Sequence, residues 1–262
     1  MKSSKVILKN VYIFAYHHVC KKRLPSAARV TPGQFEKHIL ILKELNVQFF
    51  SLDELFSLPS ESSQKRVAIT FDDGFSCVYE NAFPILEKYK LPASVFLVTH
   101  FMGQKSAWDV NFGSRRPHHL SWAQVKEMAG HKFTFGSHSH THPDLKSNSC
   151  NTIRRELKTS KELIEDKLGE PVNLLAYPFG RFSSQTKQIA KSLDYKLGFT
   201  LIPESTIEEP FQIPRFGVYL FDLNLFFKSK LELNLLYGLE QYKLRIINFL
   251  SSGTIFVKNM NQ

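Results

Sequence analysis

Two adjacent carboxylates, Asp72 and Asp73, close the apolar run Val67–Phe71, and Gly74 follows at once. Neighbouring side chains on a strand point to opposite sides. The pair can therefore divide its work, one carboxylate holding a metal and the other moving a proton. Adjacent carboxylates repel, so a nearby cation is needed to keep both ionised; an ordinary Asp-Gly turn is the simpler alternative. A second cluster is Gly136-Ser137-His138-Ser139-His140-Thr141-His142-Pro143, with three of the chain's 10 histidines within five positions. Neutral imidazole is the commonest metal ligand. An extended backbone would point His138, His140 and His142 the same way, whereas a coiled one would bring the i, i+4 pair His138 and His142 together. Gly136 and Pro143 disfavour a long helix, and a polar loop without a ligand is the alternative. A strand-end carboxylate with two histidines gives the three-ligand, open-position arrangement of a catalytic divalent-metal site. A third segment, Leu174–Gly180, is an apolar strand ending in Tyr177, Pro178, Phe179 and Gly180. Its turn offers backbone N–H groups and an aromatic wall, although a plain strand-to-loop turn would look the same.

These residues need elements to hold them. Buried strands are expected at Val11–Tyr16, Val67–Phe71, Ala93–Val98, Phe133–Phe135, Leu174–Tyr177, Leu197–Thr200 and Gln212–Phe216, the last weakened by Pro214. Between them lie helical patterns at Gln34–Leu45, Tyr79–Tyr89, Trp122–Ala129, Thr152–Leu168 and Gln185–Ser192. Thr31-Pro32 and Ser121 start two of these helices, and Gly169 stops another. Pro84 kinks or delays the second. Alternating strands and helices indicate a parallel sheet with crossover helices, either an open doubly wound sheet or a (β/α) barrel. The segment Phe221–Leu250, with Lys228, Lys230 and Lys243 at intervals, is expected to form one or two amphipathic helices broken near Gly238. It either packs on the domain or lies on a membrane surface.

Composition narrows the class. The 262 residues are 43% hydrophobic and 13% aromatic, which excludes a disordered chain. Cys20, Cys77 and Cys150 form no C-x-x-C pair, which excludes a thiolate zinc cluster or a disulfide framework and slightly favours a reducing compartment. The excess of 34 Lys and Arg over 24 Asp and Glu gives a formal charge of +10. That charge suits nucleic acid, an anionic glycan or an acidic membrane surface alike. No finger spacing or aromatic-basic stacking motif supports nucleic acid, which is not expected as a partner. No signal-like segment or membrane-length apolar run is found, so the expected location is cytoplasmic, either free or peripheral at the inner face of the membrane.

Taken in order, Thr70-Phe71-Asp72-Asp73-Gly74, His138-Ser139-His140-Thr141-His142 and Tyr177-Pro178-Phe179-Gly180 resemble the polysaccharide deacetylase superfamily, the NodB-homology domain. Tyr16-His17-His18, Trp108-Asp109, Leu120-Ser121-Trp122 and Ile213-Pro214-Arg215 add to the resemblance, which spans Val11 to Val218. It implies a deformed (β/α) barrel of about seven strands in residues 1–218, leaving 219–262 as a C-terminal helical extension on or beside it. It implies metal-assisted hydrolysis of an N-acetyl group from a sugar, the metal being most often Zn2+. Asp73, His138 and His142 match the metal ligands and Asp72 the general base, while a backbone N–H near Phe179 matches an oxyanion donor.

Two departures from the family pattern stand out. No histidine follows His142, where many relatives carry a late general acid, so His17 at the end of the first strand is the expected substitute; a structural polar cap is the alternative. Many members have arginine at the position of Ala176, and Arg215 is the residue able to replace it, if it is not in a surface ion pair. Tyr177, Pro178, Phe179, Gly180, Trp108 and Arg215 are the expected substrate-binding residues, though Trp108 and Asp109 would also serve to anchor a loop. The expected substrate is an N-acetylated glycan or a lipid-linked sugar intermediate. The alternatives are hydrolysis of another C–N bond in a small or cyclic amide, or a degenerate glycan-binding domain without turnover.

Overall fold

The computed structural model describes residues 7–21, 26–106, 116–232 and 238. Its strands are β1 (Val11–Tyr16), β2 (His18–Val19), β3 (Arg29–Val30), β4 (Gln48–Phe49), β5 (Arg66–Phe71), β6 (Ala93–Leu97), β7 (Phe133–Ser137), β8 (Leu174–Ala176), β9 (Leu197–Phe199) and β10 (Phe216–Gly217). The α-helices are α1 (Pro32–Glu44), α2 (Phe83–Tyr89), α3 (Trp122–Ala129), α4 (Cys150–Leu168), α5 (Ser184–Ser192) and α6 (Asn224–Glu232). Seven strands run parallel in the order β10-β1-β5-β6-β7-β8-β9, with β4 flanking the first half of β5. They curl into a half-barrel, a deformed β/α barrel.

Local chemistry explains the elements. Pro32 opens α1, and Thr31 Oγ1 accepts from Gln34 N. Ser121 caps α3 in the same way, and Gly169 takes the left-handed conformation that ends α4. Pro84 does not break its helix. A π-helical turn over Val78–Ala82 precedes α2, and Pro84 sits in the first turn of α2, where no intrahelical N–H is needed. Strand alternation sorts the core into two layers. Ile13, Ala68, Phe96, Ala176 and Phe199 cluster together, while Tyr12, Phe14, Val67, Ile69, Val95 and Leu175 join the larger cluster formed with the helices.

The expected strand Gln212–Phe216 divides its pairing. Ile213 N–H donates to Gly198, Thr200 N–H donates to Ile213, and Phe216 then pairs with Phe14. Pro214 falls between the two pairings, where a missing N–H costs least. Residues 213–217 thereby cross from the last strand to the first and carry Arg215 across the barrel end.

α6 is the described part of the expected Phe221–Leu250 helical tract; residues 233–237 and 239–262 lie outside the described residues. It is latched by polar groups rather than by grease alone. Lys230 Nζ donates to Asp222 Oδ2 and to the Gly217 carbonyl, each at 2.7 Å. His38 stacks on Phe227 at 3.9 Å and bonds the Tyr16 hydroxyl and the Asp222 carbonyl through its two nitrogens. Phe221, Leu223 and Leu225 remain exposed at the start of this helix. Among the described residues, no helix is long and apolar enough to cross a membrane.

Candidate active site

The end of β5 sends its two carboxylates to different partners. Asp73 has φ 69° and Gly74 φ 66°, so the chain turns through two successive left-handed residues. At φ 66° any side chain at position 74 would be strained, and its Cβ would also lie 2.8 Å from Leu97 Cδ2, so glycine suits this turn. For aspartate, such a backbone costs on the order of 1–3 kcal/mol. His119 helps to hold it, because its Nδ1 lies 2.8 Å from the Asp73 carbonyl and must donate to it.

The histidine loop is coiled, not extended. Ser139 and His142 both have positive φ, 66° and 59°. Glu156, buried on α4, accepts the N–H groups of His140 and Thr141 and the Thr141 hydroxyl. Ser139 Oγ accepts from His142 N–H, and Ser137, itself donating to Ser160 on α4, accepts from Ser139 N–H. These bonds bring the His138 and His142 rings to 4.8 Å between centroids. His140 points elsewhere, its Nδ1 2.9 Å from Thr99 Oγ1 and its ring beside His100.

Asp73, His138 and His142 form a buried triad whose ligand atoms lie within 4.8 Å of one another. Asp73 Oδ1 is 3.6 Å from His138 Nε2 and 3.5 Å from His142 Nε2. Ligands at 2.0–2.1 Å in a tetrahedral site are separated by about 3.3 Å, so the two Asp73–histidine separations are already close to those of one metal's donor set. The tautomer fits too. His138 Nδ1 donates to the Ala176 carbonyl at 2.8 Å, which leaves the Nε2 lone pair for a cation. Burial pushes the His138 pKa down to about 4, against the opposing pull of Asp72 and the Ala176 carbonyl, so the ring is neutral at pH 7.

Asp72 turns the other way, onto Arg215. Arg215 Nη1 and Nη2 meet its two carboxylate oxygens at 2.7 and 2.8 Å. The guanidinium also donates to Thr70 Oγ1 and to the Thr200 carbonyl and lies over the Phe96 and Phe199 rings. Burial alone would raise the Asp72 carboxyl; Arg215 chiefly, with His138 and His17, outweighs it and holds Asp72 at about 2. Arg215 thus reaches the carboxylate from the crossing segment just before β10, as Ala176 cannot. His17, partly exposed, directly follows β1, close enough to feel both Asp72 and Arg215. Burial lowers its pKa more than Asp72 raises it, so the ring is neutral at pH 7. Its Nδ1 has no hydrogen-bond partner among the described residues.

The remaining expected residues separate. Pro178 is buried, whereas Phe179 and Gly180 stay partly exposed; Phe179 has φ 59° and its ring edge meets His142 at 4.7 Å. Tyr177 requires a correction: its side chain is in the core, hydrogen-bonded to the Phe211 carbonyl and stacked on Phe182, and does not face a substrate. Arg215 is equally buried, so it reaches a substrate only through Asp72. Trp108 and Asp109 lie outside the described residues. His18 stacks on Phe75 at 3.9 Å, away from the triad. Glu156, Thr70 and His119 were not anticipated. Glu156 did leave a signal, being a charged residue in the apolar stripe Ile153–Leu157–Ile164 of its helix.

Comparison with known proteins agrees with this geometry. The polysaccharide deacetylase family profile matches residues 60–198. A poly-beta-1,6-N-acetyl-D-glucosamine N-deacetylase of Staphylococcus aureus is 28% identical over 199 residues, covering 72% of this chain and 66% of that protein. The chain spans 64–66% of the length of the curated relatives it matches. Among solved structures, the Streptococcus pyogenes deacetylase PplD in complex with acetate is 26% identical, with a TM-score of 0.69 over 87% of this chain and 99% of that one. IcaB from Ammonifex degensii, 22% identical, shares the fold with a TM-score of 0.73 over 85% of this chain and 97% of that one. With its aspartate and two histidines gathered at the strand ends of such a barrel, the chain belongs to the polysaccharide deacetylase family.

Proposed function

We propose that this protein is a metal-dependent N-deacetylase that removes acetyl groups from an N-acetylated amino-sugar glycan. The observation that carries this reading is the buried Asp73–His138–His142 triad beside an ionised Asp72 clamped by Arg215. The staphylococcal relative's name makes poly-β-1,6-N-acetylglucosamine the first substrate to try.

A divalent cation held by Asp73, His138 and His142 supplies Lewis acidity to an amide carbonyl and lowers the pKa of water toward about 7. The protein does the rest. Asp72, ionised at every working pH, accepts the proton that the attacking water gives up. Arg215 fixes the direction of that carboxylate through two parallel hydrogen bonds. In this reading the oxyanion donor at the turn is the Phe179 N–H, because the Tyr177, Gly180 and Arg181 N–H groups already donate to the Phe199, Tyr177 and Pro178 carbonyls. His17, which feels the charge of Asp72, in the same reading passes a proton to the departing amine. Because it starts neutral, it must first take up the proton that Asp72 accepted, which the far more acidic Asp72 carboxyl gives up readily.

Acetate release from short poly-β-1,6-N-acetylglucosamine oligomers tests the reading. Zinc-loaded protein should release acetate, and a chelator should stop the reaction until metal is restored. His142→Ala should bind zinc at least about 10-fold more weakly. Metal binding unchanged in that variant, or no acetate from any N-acetylated glycan tried, would sink the proposal. His17→Ala should keep its metal and lose roughly 10²-fold in turnover; full turnover would return His17 to a structural cap.

A further inference from the structure

Beside the proposed site lies a sulfur pair that hydrolysis does not use. Cys20 follows β2, and its N–H donates to the Val30 carbonyl at 3.0 Å, which fixes the chain there. Cys77 stands at the start of the π-helical turn Val78–Ala82. The two residues are distant in sequence, yet their thiols are hydrogen-bonded to one another. The Val19 backbone hydrogen-bonds the Cys77 sulfur, and His18 Nδ1 lies 3.9 Å from it. Cys20 is buried and Cys77 partly exposed, whereas Cys150 is exposed on α4.

We propose that Cys20 and Cys77 form a reversible disulfide on exposure to a hydroperoxide, stapling the chain just after His17 to the chain just after Asp73. Bridging two sulfurs already in contact asks for little backbone movement. The hydrogen bond from Cys77, helped by the charge of Arg29 and opposed by burial, lowers the Cys20 pKa, while Cys77 is raised well above the ordinary thiol value. With Cys20 oxidised first, Cys77 is the thiol that resolves it.

The chemistry balances. The Cys20 thiolate attacks the outer oxygen of the hydroperoxide, the O–O bond breaks, and the alkoxide or hydroxide leaves and takes up a proton. Cys20 is now a sulfenic acid. The Cys77 sulfur attacks the Cys20 sulfur, the S–S bond forms, and hydroxide departs with the Cys77 proton as water. Two thiols and one hydroperoxide become one disulfide, one alcohol or water, and one water.

The test needs no turnover, so it stands or falls apart from the deacetylase reading. Full-length protein carrying Cys150→Ser is treated with stoichiometric hydrogen peroxide. Its mass should fall by two hydrogens, peptide mapping should show a Cys20–Cys77 link, and dithiothreitol should restore both free thiols. The oxidised form should melt roughly 5–10 °C higher, because the bridge closes a long loop of the unfolded chain. Cys77→Ser should instead gain oxygen at Cys20 and show no such rise. Two alkylatable thiols remaining after peroxide, a bridge only between molecules, or a linked protein that melts no higher would each overturn the proposal.

Discussion

Asp72→Asn should lower acetate release by about 10²–10⁴-fold while leaving the metal content unchanged. The two halves of that result come from one structural fact, the opposite directions taken by Asp72 and Asp73. Asp73 Oδ1 sits 3.5 and 3.6 Å from the histidine nitrogens, whereas both Asp72 oxygens are engaged by Arg215. Asparagine keeps the size of the side chain and one acceptor for Arg215, but its amide cannot take a proton from water. The same change leaves a buried guanidinium facing an NH2 group, which should cost on the order of 1–3 kcal/mol in stability. Metal analysis and acetate release on one protein sample check both halves. Loss of metal would place Asp72 among the ligands, and turnover within tenfold of the native protein would remove it as the base.

Much of this site was legible in the sequence because its chemistry is local. Asp72, Asp73 and Gly74 are consecutive, and His138 and His142 sit one helical turn apart, so residue type and spacing were enough to bring them forward. The strand and helix alternation was equally local, since buried parallel strands are nearly pure apolar runs. The Arg215–Asp72 pair is different in kind. Both residues stood out, but their contact crosses 143 positions and depends on the chain passing from β9 to β1 through residues 213–217. The Cys20–Cys77 contact is invisible for the same reason. Tyr177 misled because an aromatic beside a turn resembles a substrate wall. Its direction was set by the two-residue alternation of β8, which points Leu175 and Tyr177 into the helix-side core and Ala176 into the barrel. The short strands β2, β3 and β4 carry two residues each, too few for any periodicity to register. Strain has no sequence signal of its own. Asp73, Ser139, His142 and Phe179 all adopt positive φ; two of them belong to the triad and the other two adjoin His142. Folding alone gives no reason to place four non-glycine residues there. The bonds that hold the turns, from His119, Glu156 and Ser139, belong to the site as much as the ligands do.

Arg215→Met should cost about 3–5 kcal/mol in stability and move the acid limb of activity to higher pH. Methionine fills the space between Phe96 and Phe199, so packing is largely kept and the effect isolates the lost charge. In the native protein, Asp72 is held at about 2, below its ordinary 3.8. It contributes roughly 2 kcal/mol that is fully present above pH 4 and disappears as pH falls through 2. Without Arg215 the dominant influence left is burial, which raises a carboxyl. The sign then reverses: the variant's folded Asp72 holds its proton more tightly than the unfolded chain does. Its relative stability is best below pH 4 and is lost as pH rises through the new, higher value. Activity follows the ionised carboxylate, so its acid limb should rise with that value, a change that misfolding alone would not produce. Arg215→Lys should recover part of the stability but not the full rate, since an ammonium cannot match both carboxylate oxygens. The double variant Asp72→Asn, Arg215→Met supplies the decisive comparison. Removing both members leaves no unpaired charge in the barrel, so it should be more stable than Arg215→Met alone. Simple additivity of the two losses, with an unmoved acid limb in the single variant, would show that Arg215 serves the fold and not the carboxylate.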